Sequence, residues 1–541
     1  MDGGCLKREE VLQEIRSAWA EHPQWAKDER WRWGLALARV RSVLLKHKNR
    51  QRQNELEAAE IHRRLAMARM LVQEDPSETN KDRFEMSLQA ARQREQADTR
   101  ISRMKCRIKW LEDGDASSRY FFACLKAKNK RENITTIKLD TGEVVTDDGR
   151  ILQLIEATYG GLYSAEMEGT EVREQRREIL QLVDKTLTRE QNRTLAELPS
   201  NDFIQEIVRS LPHEKSPGFD GVTVEVLLAG WEFMSNDCYH MVQKVWKSSM
   251  LLSKDNRGII KLIPKADALF LLKNWRPITL LTTTYKIIAK IFACRLKPML
   301  PDIIDQQQTG FISGRSIVEN ILSLRMTQEW VPATGQEIMF IKLDFQKAYN
   351  RVSHSYLWET LAALGLSPEN VQRIKGLVTG GAAQVHVNGS FTKRFEVTHG
   401  VRQGCPLAPL LFAMVTQPLM RLLREEEVFE EISGAKLNLA KSLIMPICPT
   451  VPSGWLNSTG CEVAGPSKHF LYLGVSTSNP INEVQITKAI SQKIMKRLAH
   501  CSKRFLSWPA KIAIVLLKQV LAATPLYQNL SVGMEQTGVE G

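Results

Sequence analysis

The chain has 541 residues with 74 lysines and arginines against 61 aspartates and glutamates, a formal charge of +13. That length allows two or three domains with buried cores, and the basic balance favours a polyanionic partner through phosphate contacts and counterion release. The nine cysteines stand singly with no CxxC pair, which suggests neither a disulfide framework nor a zinc ribbon and fits a reduced, intracellular protein, nuclear or cytoplasmic. Cys448, Cys461, His469, His500 and Cys501 match no zinc-module spacing. No segment approaches the roughly 18 continuous apolar residues of a membrane span, and the Lys7-Arg-Glu-Glu10 start carries no secretion signal.

Residues 1 to about 110 are rich in Arg, Lys, Glu, Gln and Ala, with apolar residues three and four apart at Ala58, Ile61, Leu65, Ala68 and Val72. This spacing predicts an exposed amphipathic helical arm or linker, either a solvated hairpin or a basic arm lying on RNA or DNA. Pro76 breaks it, and Ser77 or Thr79 could cap a following helix. Residues 111–200 read as a small α/β connector: Ile134–Leu139 alternates β-branched residues before the Asp140-Thr-Gly142 turn, and Val144-Val145 completes a hairpin. Asp147-Asp148, beside Gly149, reads as a turn or helix cap and not as a metal-binding pair. From 201 to 450 helices alternate with short strands without a regular βαβ repeat, an α+β pattern. Residues 451–541 add a short strand at Phe470–Gly474 and a basic helical run containing Lys488, Lys493, Lys496, Arg497, Lys503 and Arg504.

Within this frame lies an ordered series of motifs. They are Trp110-Leu-Glu-Asp-Gly-Asp115, Lys215-Ser-Pro-Gly-Phe-Asp-Gly221, Leu262-Ile-Pro-Lys265, Asn274-Trp-Arg-Pro-Ile278, Gly310-Phe-Ile-Ser-Gly-Arg315, Ile341–Val352, Gly400–Pro409, Lys436–Ser442 and Tyr472-Leu-Gly-Val475. Ile341–Val352 is an apolar strand end that delivers one carboxylate, Asp344. As a series they resemble the reverse transcriptase domain of plant LINE-type non-LTR retrotransposons, from roughly residue 110 to the C-terminus. The resemblance implies a right-hand polymerase of fingers, palm and thumb behind an N-terminal helical region, with fingers and palm over 201–450 and the primer grip with a partial thumb over 451–541.

The implied chemistry is RNA-directed DNA synthesis with Mg2+, deoxynucleoside triphosphates, an RNA template and a DNA primer or target. Two divalent ions roughly 4 Å apart need carboxylates from two neighbouring strands. Asp344 matches the first carboxylate, but no aspartate lies between Pro409 and Lys436, where the family's paired-aspartate hairpin belongs. The interval instead holds Arg421, Arg424, Glu425, Glu426, Glu427, Glu430 and Glu431, a glutamate run that reads as a solvated helix face. Other positions follow the family. Tyr349 matches the aromatic beside the nucleotide sugar, its plainer reading being a core tyrosine. Lys265 and Arg276 match finger residues near the triphosphate, or are ordinary loop charges. Gln403 and Gly404 match the turn beside the nascent pair, Lys441 a possible general acid for pyrophosphate, and Tyr472 and Gly474 the primer grip. Departures are Cys405 for Asp, Ala408 for Ser, and Asn350 for an acid. The resemblance therefore implies a truncated, catalytically defective copy without the usual flanking endonuclease and Cys/His-rich modules. Two other readings stay open: a non-catalytic RNA- or DNA-binding remnant, and an active enzyme whose hairpin was lost to a mis-predicted gene model.

Overall fold

The computed structural model describes residues 9–21, 26–74, 77–79, 82–89, 133–139, 141–165, 169–265, 269–334, 339–418, 436–437, 442–446, 462–463, 470–472 and 475–477. Helices and strands are mixed throughout. The described strands are β1 (Ile137–Lys138), β2 (Val144–Val145), β3 (Arg257–Pro264), β4 (Trp275–Leu281), β5 (Met339–Lys342), β6 (Phe345–Gln346), β7 (Gly381–Val387), β8 (Ser390–Phe391), β9 (Phe395–Val397), β10 (Lys436–Leu437), β11 (Leu443–Pro446), β12 (Glu462–Val463), β13 (Phe470–Tyr472) and β14 (Val475–Thr477). No described helix is long and apolar enough to cross a membrane. The chain divides into two compact units, one formed by 1–165, 189–295 and 367–408, the other by 166–188, 296–366 and 409–541.

The first unit is organised by a five-stranded sheet in the order β4-β3-β7-β8, with β9 also on β7. β3 runs antiparallel to β4 from Gly258↔Leu281 to Pro264↔Trp275 and parallel to β7 from Arg257↔Ala382 to Lys261↔His386. Side chains alternate across a strand, and here the alternation is strict. Ile260, Leu262, Trp275, Ala383, Val385 and Val387 are buried with Ile151, Ile155 and Tyr159 of the helix Asp148–Leu162. The expected hairpin forms as the antiparallel β1–β2 pair. Asp147 is the cap of the Asp148–Leu162 helix, its carboxylate accepting from the Arg150 amide at 2.7 Å, the bond that satisfies an otherwise orphaned N–H.

The N-terminal helices, Glu9–Ala20 and Glu29–Glu74, differ from the exposed arm that the 58–72 spacing predicts. Val11, Ile15, Trp19, Trp33, Ala36, Leu37, Val40 and Leu44 are buried. The physical reason is a second apolar stripe at spacings of three and four, at 33, 36 or 37, 40 and 44, together with Trp19 and Trp33, whose N–H groups find partners. Trp19 donates to Asp237 at 3.0 Å and Trp33 to Thr284 at 2.9 Å. They thereby join the helices Trp231–Ser248 and Thr283–Leu296, where Trp246 and Phe292 stack at 4.4 Å.

In the second unit, β5 pairs antiparallel with β11 from Lys342↔Leu443 to Met339↔Pro446, and β11 pairs parallel with β12. β6 pairs with β10 through Gln346↔Lys436 and Phe345↔Leu437. β13 and β14 form a hairpin closed at Tyr472↔Val475. Arg315 holds the Gly310–Arg315 loop: its guanidinium donates to the carbonyls of Pro301, Ile304 and Gln308 at 3.2, 2.9 and 2.8 Å, and to that of Asp305. That explains why an arginine closes the motif. A planar five-donor group can gather carbonyls that a point charge cannot.

Candidate polymerase site residues

Four of the expected site residues lie in the first unit. Lys265 and Arg276 are exposed at the loop end of the β3–β4 hairpin, where the Lys265 amide donates to the Asn274 carbonyl at 2.8 Å and Ile263 faces Arg276. Pro277 and Trp275 alternate with Arg276 and point to the core, and Trp275 donates to the Leu269 carbonyl at 2.8 Å. The same alternation that buries Trp275 therefore exposes the guanidinium.

Gln403 and Gly404 sit in a turn docked on β4. The Thr279 amide donates to the Gln403 carbonyl at 2.7 Å. Gly404 has φ of +126°, and a Cβ there would lie 2.4 Å from the Thr279 carbonyl oxygen. Only glycine fits both the conformation and the approach. Two buried side chains brace this turn. Arg402 donates to Asn256 at 2.7 Å, Asn256 passes the link to the Thr379 carbonyl at 2.8 Å, and the guanidinium lies 5.4 Å from the Tyr285 ring centre. A side chain at Gly381 would collide with that guanidinium. Cys405 accepts from the Tyr285 hydroxyl at 3.5 Å and the Leu407 amide at 3.4 Å. The thiol thus serves as a weak acceptor where the family carries a carboxylate, and burial pushes its pKa up.

The Lys215–Gly221 motif has a structural explanation in the same unit. Asp220 accepts from the Thr283 amide at 3.1 Å, at the start of the Thr283–Leu296 helix. A Cβ at Gly218 would strike the Leu281 and Thr282 backbone at 2.4 Å.

Asp344 and Tyr349 lie in the second unit. Asp344 follows β5, is partly exposed, and its amide donates to the buried Ser442 hydroxyl at 3.2 Å. The residues that position it are therefore β5 with its β11 partner and Ser442 immediately before that partner. Lys347 adopts a left-handed conformation, φ +47°, and turns the chain into the Ala348–Arg351 single-turn helix. Burial and Arg351 push the Lys347 ammonium down. Tyr349, half-buried, packs at 4.9 Å on Phe412, and burial raises its hydroxyl pKa. Asn350, in place of an acid, is buried. Among the described residues no group of three His, Cys, Asp or Glu side chains gathers as a metal site.

Of the remaining expectations, Tyr472 is placed in β13, while Lys441, Gly474, Glu425–Glu427, the Trp110–Asp115 motif, Cys448, Cys461, His469, His500, Cys501 and the Lys488–Arg504 run lie outside the described residues. Arg402, Asn256 and Ser442 were missed by sequence reasoning. Arg402 could have been suspected as the charge between Val401 and Gln403, but the burial of Asn256 has no sequence signal.

Residues 263–437 match the family model of reverse transcriptase, RNA-dependent DNA polymerase. The chain is 33% identical over 338 residues to the Transposon TX1 uncharacterized 149 kDa protein of Xenopus laevis, covering 62% of this chain and 26% of that protein. It is 25% identical over 225 residues to the Retrovirus-related Pol polyprotein from type-2 retrotransposable element R2DM of Drosophila melanogaster, covering 42% and 21%. It is 28% identical over 229 residues to the Probable RNA-directed DNA polymerase from transposon BS of the same organism, covering 40% and 24%. Among solved structures it is similar to an apo telomerase from Candida Tropicalis, with 12% identity, a TM-score of 0.29, and coverage of 60% of this chain and 85% of that one. The chain carries a reverse transcriptase domain related to those of non-LTR retrotransposon proteins. It spans about a quarter of the length of these curated relatives.

Proposed function

We propose that this chain comprises the fingers, palm and part of the thumb of a LINE-type reverse transcriptase that has lost polymerase chemistry and keeps nucleic-acid affinity. The observation that carries this reading is the absence of any aspartate between Pro409 and Lys436. Supporting it, the strands after that interval take up the ladder beside the Asp344 segment: Lys436 and Leu437 pair with β6, and Leu443–Pro446 pairs with β5. In this reading Lys265 and Arg276 are the triphosphate cations, Tyr349 the sugar-side aromatic, Gln403 and Gly404 the turn beside the nascent pair, Lys441 the residual proton donor, and Tyr472 with Gly474 the primer grip. Asp344 is a single carboxylate where divalent-ion chemistry needs a shared set.

The test is primer extension by the purified full chain on a primed RNA template with Mg2+ or Mn2+ and all four deoxynucleoside triphosphates. The expected result is no product above background. Product that disappears in Asp344→Ala would overturn the reading and direct attention to Glu425–Glu427 as substitute ligands.

A further inference from the structure

On the open face of the first unit's sheet, the row next to Arg276 is used by none of the roles above. Cα partners in neighbouring strands share a face, so the registers Lys261↔Ile278, Lys261↔His386 and His386↔Phe391 define one continuous row across β4, β3, β7 and β8. With strands about 4.8 Å apart, the row spans roughly 14 Å. The opposite face is the buried one, and these positions alternate with it as half-buried or exposed residues. Phe391 is 48% exposed, and Ile263, one row away, is 46% exposed. Both are more open than a closed core face would leave them.

The chemistry of the row is particular. The His386 and Phe391 rings are 4.7 Å apart and tilted by 42°, which presents two adjoining aromatic surfaces at the sheet edge. Burial and the Lys261 charge push the His386 imidazole down from its usual range, which favours the uncharged ring. Lys261 and Arg276 supply positive charge, and the two rows contain no acidic residue. Aromatic surfaces flanked by cations without acids fit a strand of bases and phosphates, since bases stack on rings while phosphates meet ammonium groups. An apolar protein partner would gain nothing from the cations.

We propose that the row Lys261, His386 and Phe391, none of them a residue assigned above, is a stacking platform for single-stranded nucleic acid. This rests on the reading that the chain retains nucleic-acid affinity. Phe391 stacks one base, His386 supports the next, and Lys261 contacts a phosphate between them.

The test is fluorescence anisotropy of the full chain with a labelled single-stranded RNA and the same sequence as DNA, over a range of salt, against a duplex and heparin. Phe391→Ala should weaken single-strand binding roughly tenfold with an unchanged salt slope, and Phe391→Trp should retain it. Lys261→Gln should lower the slope of log affinity against log salt by about 0.7. A purely structural role would not separate the two variants in this way, and circular dichroism of each variant checks folding. If the wild type binds and both variants match it, or if Phe391→Ala weakens heparin equally, the platform is wrong while nucleic-acid binding elsewhere stands. If the wild type binds no strand even at low salt, both readings fall.

Discussion

Gly404 and Gly160 separate two meanings of the same residue. At Gly404 a methyl group meets the Thr279 carbonyl oxygen at 2.4 Å and the backbone is at φ +126°, so Gly404→Ala should cost about 1–3 kcal/mol. Gly160 lies inside the Asp148–Leu162 helix with nothing within 4 Å of a new Cβ, and Gly160→Ala should stabilise by about 0.5–1 kcal/mol. Urea denaturation of both reads the sign directly, and similar midpoints would show that the Gly404 turn yields easily. Asp255 gives a pH signal. It is buried, and burial, with Asp220 nearby, pushes its carboxyl up to about 7 despite Lys254. A carboxyl whose folded pKa exceeds its unfolded value favours the fold below the unfolded pKa, and that contribution is lost as pH rises through the folded one. Stability should therefore decline between about pH 4 and 7, and Asp255→Asn should flatten the decline and raise Tm at pH 8. A Tm difference between wild type and variant that is the same at pH 5 and pH 8 would contradict this.

At the scale of elements, the N-terminal helices belong energetically to the core they cover. Trp33 is fully buried and its N–H reaches Thr284, so Trp33→Ala should cost about 3–5 kcal/mol. Thr284→Val strands the indole N–H and should cost about 1–3 kcal/mol. A loss below about 1 kcal/mol for Trp33→Ala would mean that these helices are accessory. What was legible beforehand followed from local chemistry. The Asp147 cap and the β1–β2 hairpin each depend on residues within a few positions. The partners of strands were not legible. β3 pairs with β7 more than a hundred residues later in sequence, and β5 with β11. Periodicity reports which face of a strand is buried but carries no address for its neighbour. The Trp33 stripe was overlooked for a related reason: the 58–72 spacing on the same helix suggested a solvated face, and only contact with Thr284 distinguishes the buried end.

For the molecule as a whole, the proposed loss of the aspartate hairpin would bear on folding as well as on chemistry. Removing two strands beside the Asp344 segment would leave a ladder edge around Ile341–Phe345, which promotes aggregation. The structure instead gives that segment partners, since Ile341 faces Ile444 and Phe345 faces Leu437. The second unit therefore pairs one side of β5 through β11 and pairs β6 through β10. Proline at a paired strand position removes a donor and disrupts the ladder, so Ile444→Pro should lower Tm and raise light scattering, whereas the exposed Gln346→Ala should leave both nearly unchanged. β5 nevertheless has no second strand partner among the described residues. Inserting a family-like aspartate hairpin between Arg424 and Glu431 should add ladder bonds on that side without displacing β11. The expected result is a modest rise in Tm, with Ile444→Pro still destabilising in the lengthened chain. If the insertion abolished the effect of Ile444→Pro, the hairpin and β11 would be competing for one edge, and β11 would be a substitute for the lost strands and not an independent partner.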